Sequence, residues 1–456
     1  MEVENVKHTI KASLLVITAL VITFSTILIN PRGASANTFD VDAKAAILVD
    51  AETGKILYGK NYDTMLGIAS MTKMMTEYLV LEAIEEGQIS WDTTTQISDY
   101  PYSISANPSF SGIGLIQNKP YTVEQLYEGM SIISDNATTI ALAELIAGSE
   151  GEFVKMMNDK AEELGLPDYD FANSTGLNNS SLGENYPDGT DPDAETMLSA
   201  RSVAMLAYHL VNDFPKALEF SSTLTSELDG QPLTNLNWML PWQDVSQNFA
   251  QYYAEGVDGL KTGYTDLAGY SFTGTAQRNG KRLISVVMDV NVDGITHREA
   301  KMGKRFEETK KLLDYGYSQF EEQELFEAGY QIEGESVLPV AKGKEEEVEI
   351  ESKEAITEVI KIGDQENYQV TYKIDEDKMN EDGELIAPLE KGEKIGTMEL
   401  AYSGNSDFGY LFDKEQVKSV DVVTSSAVEK QNWFMLMLGS IGDFFSNLGK
   451  TIKGWF

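Results

Sequence analysis

The chain has no cysteine among its 456 residues, which rules out disulfides, thiolate metal ligands and a cysteine nucleophile. Histidine is almost as scarce: His8, His209 and His297 are the full set. A serine–histidine–aspartate triad or a histidine-built metal centre is therefore poorly supplied. Neither a G-x-S-x-G elbow nor an H-E-x-x-H pair occurs. Cations are outnumbered, 35 Lys and Arg against 73 Asp and Glu, for a formal net charge of −38. Phosphate backbones need clustered Lys and Arg, so this balance argues against nucleic acid as a direct partner. No cofactor is expected, and a serine enzyme built from this chain needs a base other than histidine.

What is present divides the chain into unlike parts. Residues 1–36 read as a secretory signal: Lys7 and Lys11, a short apolar run, then Ala34-Ser35-Ala36 as a small-residue cleavage site. Residues 37–322 mix hairpins with helical stretches. Ala45–Val49 turns through Glu52-Thr53-Gly54 into Ile56–Tyr58, and Tyr270–Ala276 returns through Asn279-Gly280 to Leu283–Val290. Apolar spacing predicts helices over Thr122–Ile133, Ala137–Ile146, Glu152–Leu164 and Ala194–Leu210. An antiparallel sheet with a helical insertion, of the α+β class, fits this order. Residues 323–427 switch to short β-type runs between charged turns, such as Glu347–Ile350 and Val420–Val423, and read as a small all-β domain.

Residues 428–456 change again. Phe434, Leu438, Ile441, Phe445, Leu448, Ile452 and Trp455 fall on one helical face, opposite Ser440, Asp443, Asn447, Lys450 and Lys453. Such a helix lies in a membrane interface rather than crossing it. A helix packed on the β domain is the alternative.

Three short motifs carry the chemistry. In Ser70-Met71-Thr72-Lys73 a helical backbone brings Lys73 to Ser70, because residues three apart share a face. The apolar stretch that follows predicts a buried helix, and burial lowers a lysine pKa so that the neutral amine can act as a base. Alone, the tetrad is weak, since the same spacing occurs on ordinary helix surfaces. Ser134-Asp135-Asn136 falls in a turn between two helices, where Ser and Asn can simply be caps. Functionally, the Ser134 hydroxyl could relay a proton and Asn136 could bind a substrate amide and steady the lysine. Lys261-Thr262-Gly263 ends a strand-like run; either it is a turn with an exposed lysine, or Lys261 and Thr262 hold a carboxylate while Gly263 lets a peptide approach the strand.

All three occur once and in this order, which is the set found in penicillin-binding proteins and class A β-lactamases. With Ile68–Thr76, Asn173-Ser174-Thr175-Gly176-Leu177 and Asp258–Gly263, the chain resembles the low-molecular-mass D-alanyl-D-alanine carboxypeptidases of Gram-positive bacteria. That resemblance implies a penicillin-binding/β-lactamase-like fold, a β domain and a C-terminal membrane-anchor helix on the outer face of the cytoplasmic membrane. It implies acyl transfer through Ser70 with Lys73 as base, Ser134 protonating the departing D-alanine, and the backbone N–H groups of Ser70 and Tyr264 holding the oxyanion. The substrate is then a peptidoglycan stem peptide ending in D-Ala-D-Ala, and β-lactams inhibit. Arg305 matches a family arginine for the terminal carboxylate, with a helix-surface ion pair as the rival reading. Two positions depart from the family pattern: Ile68 stands where proline is usual, and Tyr264 where a small residue is common. A β-lactamase and a silent wall-binding scaffold are the competing functions.

Overall fold

In the computed structural model, residues 39–404, 408–412 and 418–432 are described. The expected signal segment and the expected C-terminal amphipathic helix lie outside them. Among the described residues no helix is long and apolar enough to cross a membrane.

The first body is built on a five-stranded antiparallel sheet ordered Val257–Thr265, Gly269–Arg278, Lys281–Val290, Ala43–Asp50, Ile56–Lys60. Both predicted hairpins are present, and the N- and C-terminal parts of this body meet where Ala43–Asp50 pairs with Lys281–Val290. The strand interiors are near-continuous apolar runs: Ala45 to Val49 are fully buried, as are Ile284, Val286, Val287 and Met288. A strand reads this way when both faces are covered. Helix Arg298–Gln319 contributes Phe306, Leu312 and Leu313 to that cover.

The helical insertion surrounds the helix Lys73–Glu85, in which Met74, Met75, Leu79, Val80 and Leu81 are all buried. Lys73, Thr76 and Glu77 are buried on the same helix, so it runs through the core with polar groups enclosed, and it fixes the position of everything attached to its start. Around it, Val123–Ile133 begins with a Thr122/Gln125 capping box and Glu150–Glu163 with a Ser149 cap. The helix expected over Ala194–Leu210 instead spans Ala200–Asp213. Met197–Ser199 pairs as a strand with Met65–Gly67, and the Ser199 hydroxyl caps the helix at Ser202 N, so sheet pairing and capping together delay its start.

Helix Arg298–Gln319 runs directly into strand Phe320–Phe326, which pairs with Ile356–Lys361. Beyond it lies a six-stranded sheet ordered Tyr368–Ile374, Lys394–Tyr402, Ser419–Thr424, Glu347–Ser352, Val337–Ala341, Leu385–Ile386, with its own core around Ile350, Ile356, Leu385, Ile395 and Met398. A loop of this β body returns to the first body. Ile56 N donates to Gly409 O and Leu411 N to Gly54 O, each at 2.9 Å. Beneath this contact Lys55 Nζ is 3.4 Å from Glu358 Oε1, both side chains buried, and Tyr410 OH donates to Glu358 Oε2 at 2.5 Å.

Candidate active site

Ser70 sits in a 3₁₀ turn, Ala69–Thr72, that leads straight into helix Lys73–Glu85. The expected first helical turn is therefore tighter than an α-helix, and Ala69 is held at φ 47°, a left-handed conformation that costs an L-residue free energy and is found where surrounding structure enforces it. The surrounding structure is strand Val257–Thr265. A Cβ on Gly263 would lie 2.5 Å from the Ile68 carbonyl oxygen, so glycine lets this strand close on the turn. That is a different reason for Gly263 from the substrate approach read in the sequence.

Lys73 is fully buried and its Nζ has three partners: Ser70 Oγ at 3.1 Å, Asn136 Oδ1 at 2.8 Å and the Thr175 carbonyl at 2.8 Å; as a neutral amine it donates to the last two and turns its lone pair to the Ser70 hydroxyl. Burial, and next the charge of Lys261, hold its pKa well below the usual lysine value, against the pull of Asp135, Glu77 and Glu150. A neutral amine on a serine hydroxyl is a nucleophile–base pair.

Ser134 ends helix Val123–Ile133 in the left-handed region, φ 60°. Its Oγ is buried and makes no hydrogen bond among the described residues, so it is neither a cap nor a direct partner of Lys73. The capping expected of Ser134 and Asn136 belongs to Asp135, whose carboxylate accepts from Ala137 N, Thr138 N and Ile113 N. Burial raises the Asp135 pKa to about 6 against those bonds. Capping needs the middle residue because its side chain turns back onto the following helix. That frees Asn136 to face the site, where its amide donates to Ser111 O at 3.0 Å and its oxygen accepts from Lys73.

Lys261 is buried rather than exposed, and burial pushes its pKa down to about 8, with Glu77 opposing. Glu77 lies one turn beyond Lys73, and burial raises it to about 7. Arg305 is buried as well; its guanidinium donates to Gly263 O at 3.1 Å and lies 5.7 Å from the Tyr270 ring centre. The rival reading of Arg305 as a helix-surface ion pair fails, because no carboxylate pairs with it among the described residues. Lys304 next to it makes that pair instead, with Glu308.

These groups border one cleft of about 290 Å³, lined by Ser70, Ser134, Asn136, Thr262, Gly263, Tyr264 and Arg305 among others. Lys73 and Lys261 are buried and are not among the lining residues. Tyr264 is half exposed at the rim and stacks on Tyr270, 4.5 Å between ring centres. Sequence reasoning missed Arg298, Met302, Ser111 and Leu236 in the lining. Among the described residues no aspartate or glutamate lines the cleft, an unusual local balance in a chain of net charge −38. Sequence reasoning also missed the Thr175 carbonyl; Asn173–Leu177 was visible as a motif, but a backbone acceptor carries no side-chain signal.

Comparison with known proteins agrees with this geometry. Residues 32–292 match the Peptidase S11 family model, D-alanyl-D-alanine carboxypeptidase, and residues 320–430 match the penicillin-binding protein 5 C-terminal domain. The chain is 33% identical to D-alanyl-D-alanine carboxypeptidase DacF of Bacillus subtilis over 363 residues, 80% of this chain and 82% of that one. It is 32% identical to DacC of Escherichia coli, again over 80% and 82%. Among solved structures, a peptidoglycan synthesis regulatory factor (PBP3) from Streptococcus pneumoniae superposes with TM-score 0.64 at 38% identity, covering 86% of this chain and all of that one. Penicillin binding protein 5 from Haemophilus influenzae gives 0.61 at 28%, covering 87% and 100%. The penicillin-binding fold with its following β domain is thus shared, and the chain belongs to the D-alanyl-D-alanine carboxypeptidase family, Peptidase S11.

Proposed function

We propose that this enzyme removes the terminal D-alanine from peptidoglycan stem pentapeptides through an acyl-enzyme on Ser70. The observation that carries the reading is the buried Lys73 amine, poised on Ser70 Oγ by Asn136 and Thr175. Ser70 Oγ attacks the carbonyl between the two D-alanines as Lys73 Nζ takes its proton. The carbonyl oxygen, now negative, is held by the backbone N–H groups of Ser70 and Tyr264. The C–N bond then breaks as Ser134 gives its hydroxyl proton to the departing amine, which leaves as D-alanine, and the proton held on Lys73 Nζ replaces it on Ser134, so that Lys73 is neutral again. Water hydrolyses the ester and restores Ser70. Lys261, Thr262 and Arg305 hold the terminal carboxylate in a cleft whose lining has no competing carboxylate.

The same lining bears on the β-lactamase alternative. Fast deacylation in such enzymes uses a glutamate-positioned water, and among the described residues no glutamate lines this cleft. On this reading a β-lactam acylates Ser70 and leaves a lasting adduct. Labelling with a fluorescent penicillin tests this: a lasting adduct on the wild type, absent in Ser70→Ala, supports the carboxypeptidase. Rapid turnover of the label points to a β-lactamase, and no adduct to a scaffold.

The chain is read as exported, with residues 1–36 removed, a catalytic domain over residues 37–322, a β domain over residues 323–427, and residues 428–456 as a peripheral anchor on the outer face of the cytoplasmic membrane. The apolar stripe from Phe434 to Trp455 supports the anchor. Deleting residues 432–456 should release the protein from membranes; retention would refute it.

A further inference from the structure

We propose that Glu150 is a positioning residue for the reaction: its buried carboxylate fixes the Asn173–Gly176 turn so that the Thr175 carbonyl is aimed at Lys73 Nζ. The inference rests on Ser70 and Lys73 being the reacting pair.

Glu150 opens helix Glu150–Glu163, yet it does not cap that helix; Ser149 does, accepting from Glu152 N at 3.2 Å. An acid present only to complement a helix start stays in water. Glu150 is 4% exposed and its carboxylate oxygens turn elsewhere. Oε1 accepts from Ser174 N at 2.9 Å and from Ser174 Oγ at 2.5 Å, and Oε2 accepts from Tyr100 OH at 2.8 Å. A buried carboxylate is tolerated only when its lone pairs are used in this way.

Ser174 is gripped from the other side too. Its carbonyl accepts from Thr76 Oγ1 at 2.8 Å, and Thr76 is on the helix that carries Lys73. The next carbonyl along the chain, that of Thr175, receives Lys73 Nζ at 2.8 Å. Asn173 Oδ1 tightens the turn, accepting from Thr175 N, Thr175 Oγ1 and Gly176 N. Glu150 thus sets one end of a two-residue lever whose other end is a hydrogen-bond acceptor of the general base. The titratable groups around Glu150 are Tyr100 and Glu144, with Lys73 across the turn; burial raises the Glu150 pKa, and its three donors hold it down.

The test measures penicillin acylation rate against pH for full-length wild type, Glu150→Gln, Glu150→Ala and Ser70→Ala. Glu150→Gln keeps a carbonyl oxygen for Ser174 and should lose less than about 10-fold. Glu150→Ala frees the turn and should lose about 100-fold, the scale of a 1 Å misplacement. Both variants lose the Glu150 charge that raises the Lys73 pKa, but the acid limb of Glu150→Ala should move further to lower pH than that of Glu150→Gln, because the misplaced Thr175 carbonyl no longer stabilises the protonated amine. A Glu150→Ala enzyme with wild-type rate and limb would overturn the proposal, as would equal losses and equal limb shifts in both variants. If Glu150→Ala does not fold, Ser174→Ala decides: kcat should fall with KM unchanged and the limb shifted the same way, and an unmoved profile overturns the idea. Acylation of Ser70→Ala would instead sink the underlying assignment of the nucleophile.

Discussion

Gly176 and Ala69 meet backbone to backbone: a Cβ on Gly176 would lie 1.8 Å from the Ala69 carbonyl oxygen. Gly176 also holds φ +78°, so both space and conformation demand glycine. Gly176→Ala should cost at least about 2 kcal/mol of folding stability, read from the denaturant midpoint. Acylation should slow as well, because the Ala69–Thr72 turn must move. An unchanged midpoint would show that the turn yields at no cost.

The pH profile should be set by two buried lysines with opposite requirements. Lys73 must be neutral to accept a proton, and its lowered pKa makes activity rise as it deprotonates. In its proposed role Lys261 must stay charged to hold a carboxylate, and with its pKa lowered by burial to about 8 it loses that charge as the medium becomes alkaline. kcat/KM for a D-Ala-D-Ala peptide is therefore expected to fall above about pH 8, through KM rather than kcat. In Lys261→Gln the KM should be raised throughout and the alkaline limb should vanish. A limb that persists unchanged in that variant would assign it to another group.

Lys55 and Glu358 tie the β body to the first body through a buried pair. Removing one partner leaves an uncompensated buried charge, at a cost of about 3–5 kcal/mol. Lys55→Met alone should be destabilising on that scale, while Lys55→Met with Glu358→Gln should recover most of the loss. A double-mutant cycle on denaturation midpoints measures the coupling; additive losses would mean that the pair contributes nothing across the contact.

Much of this was legible in the sequence because it is written in side chains. The hairpin at Asn279-Gly280, the buried helix after Lys73 and the three motifs all carry a local pattern. What could not be read depends on which segment meets which. The Asp135 cap was hidden because all three members of Ser134-Asp135-Asn136 can cap, and only the fold shows which one turns back onto the helix. Arg305 read equally well as a surface residue, since its burial depends on packing against Gly263 and Tyr270. The start of helix Ala200–Asp213 was masked by helix-compatible residues that pair as a strand instead. The Thr175 carbonyl and the Ala69 conformation are backbone properties, invisible to residue type.

The most direct test of Ser70 as the reacting nucleophile is D-alanine release from a stem pentapeptide ending in D-Ala-D-Ala, with wild type and Ser70→Ala compared at equal concentration. The wild type should release one equivalent of D-alanine per peptide over repeated turnovers, and Ser70→Ala none above background. Release by Ser70→Ala at the wild-type rate, or no release by the wild type, would contradict the account.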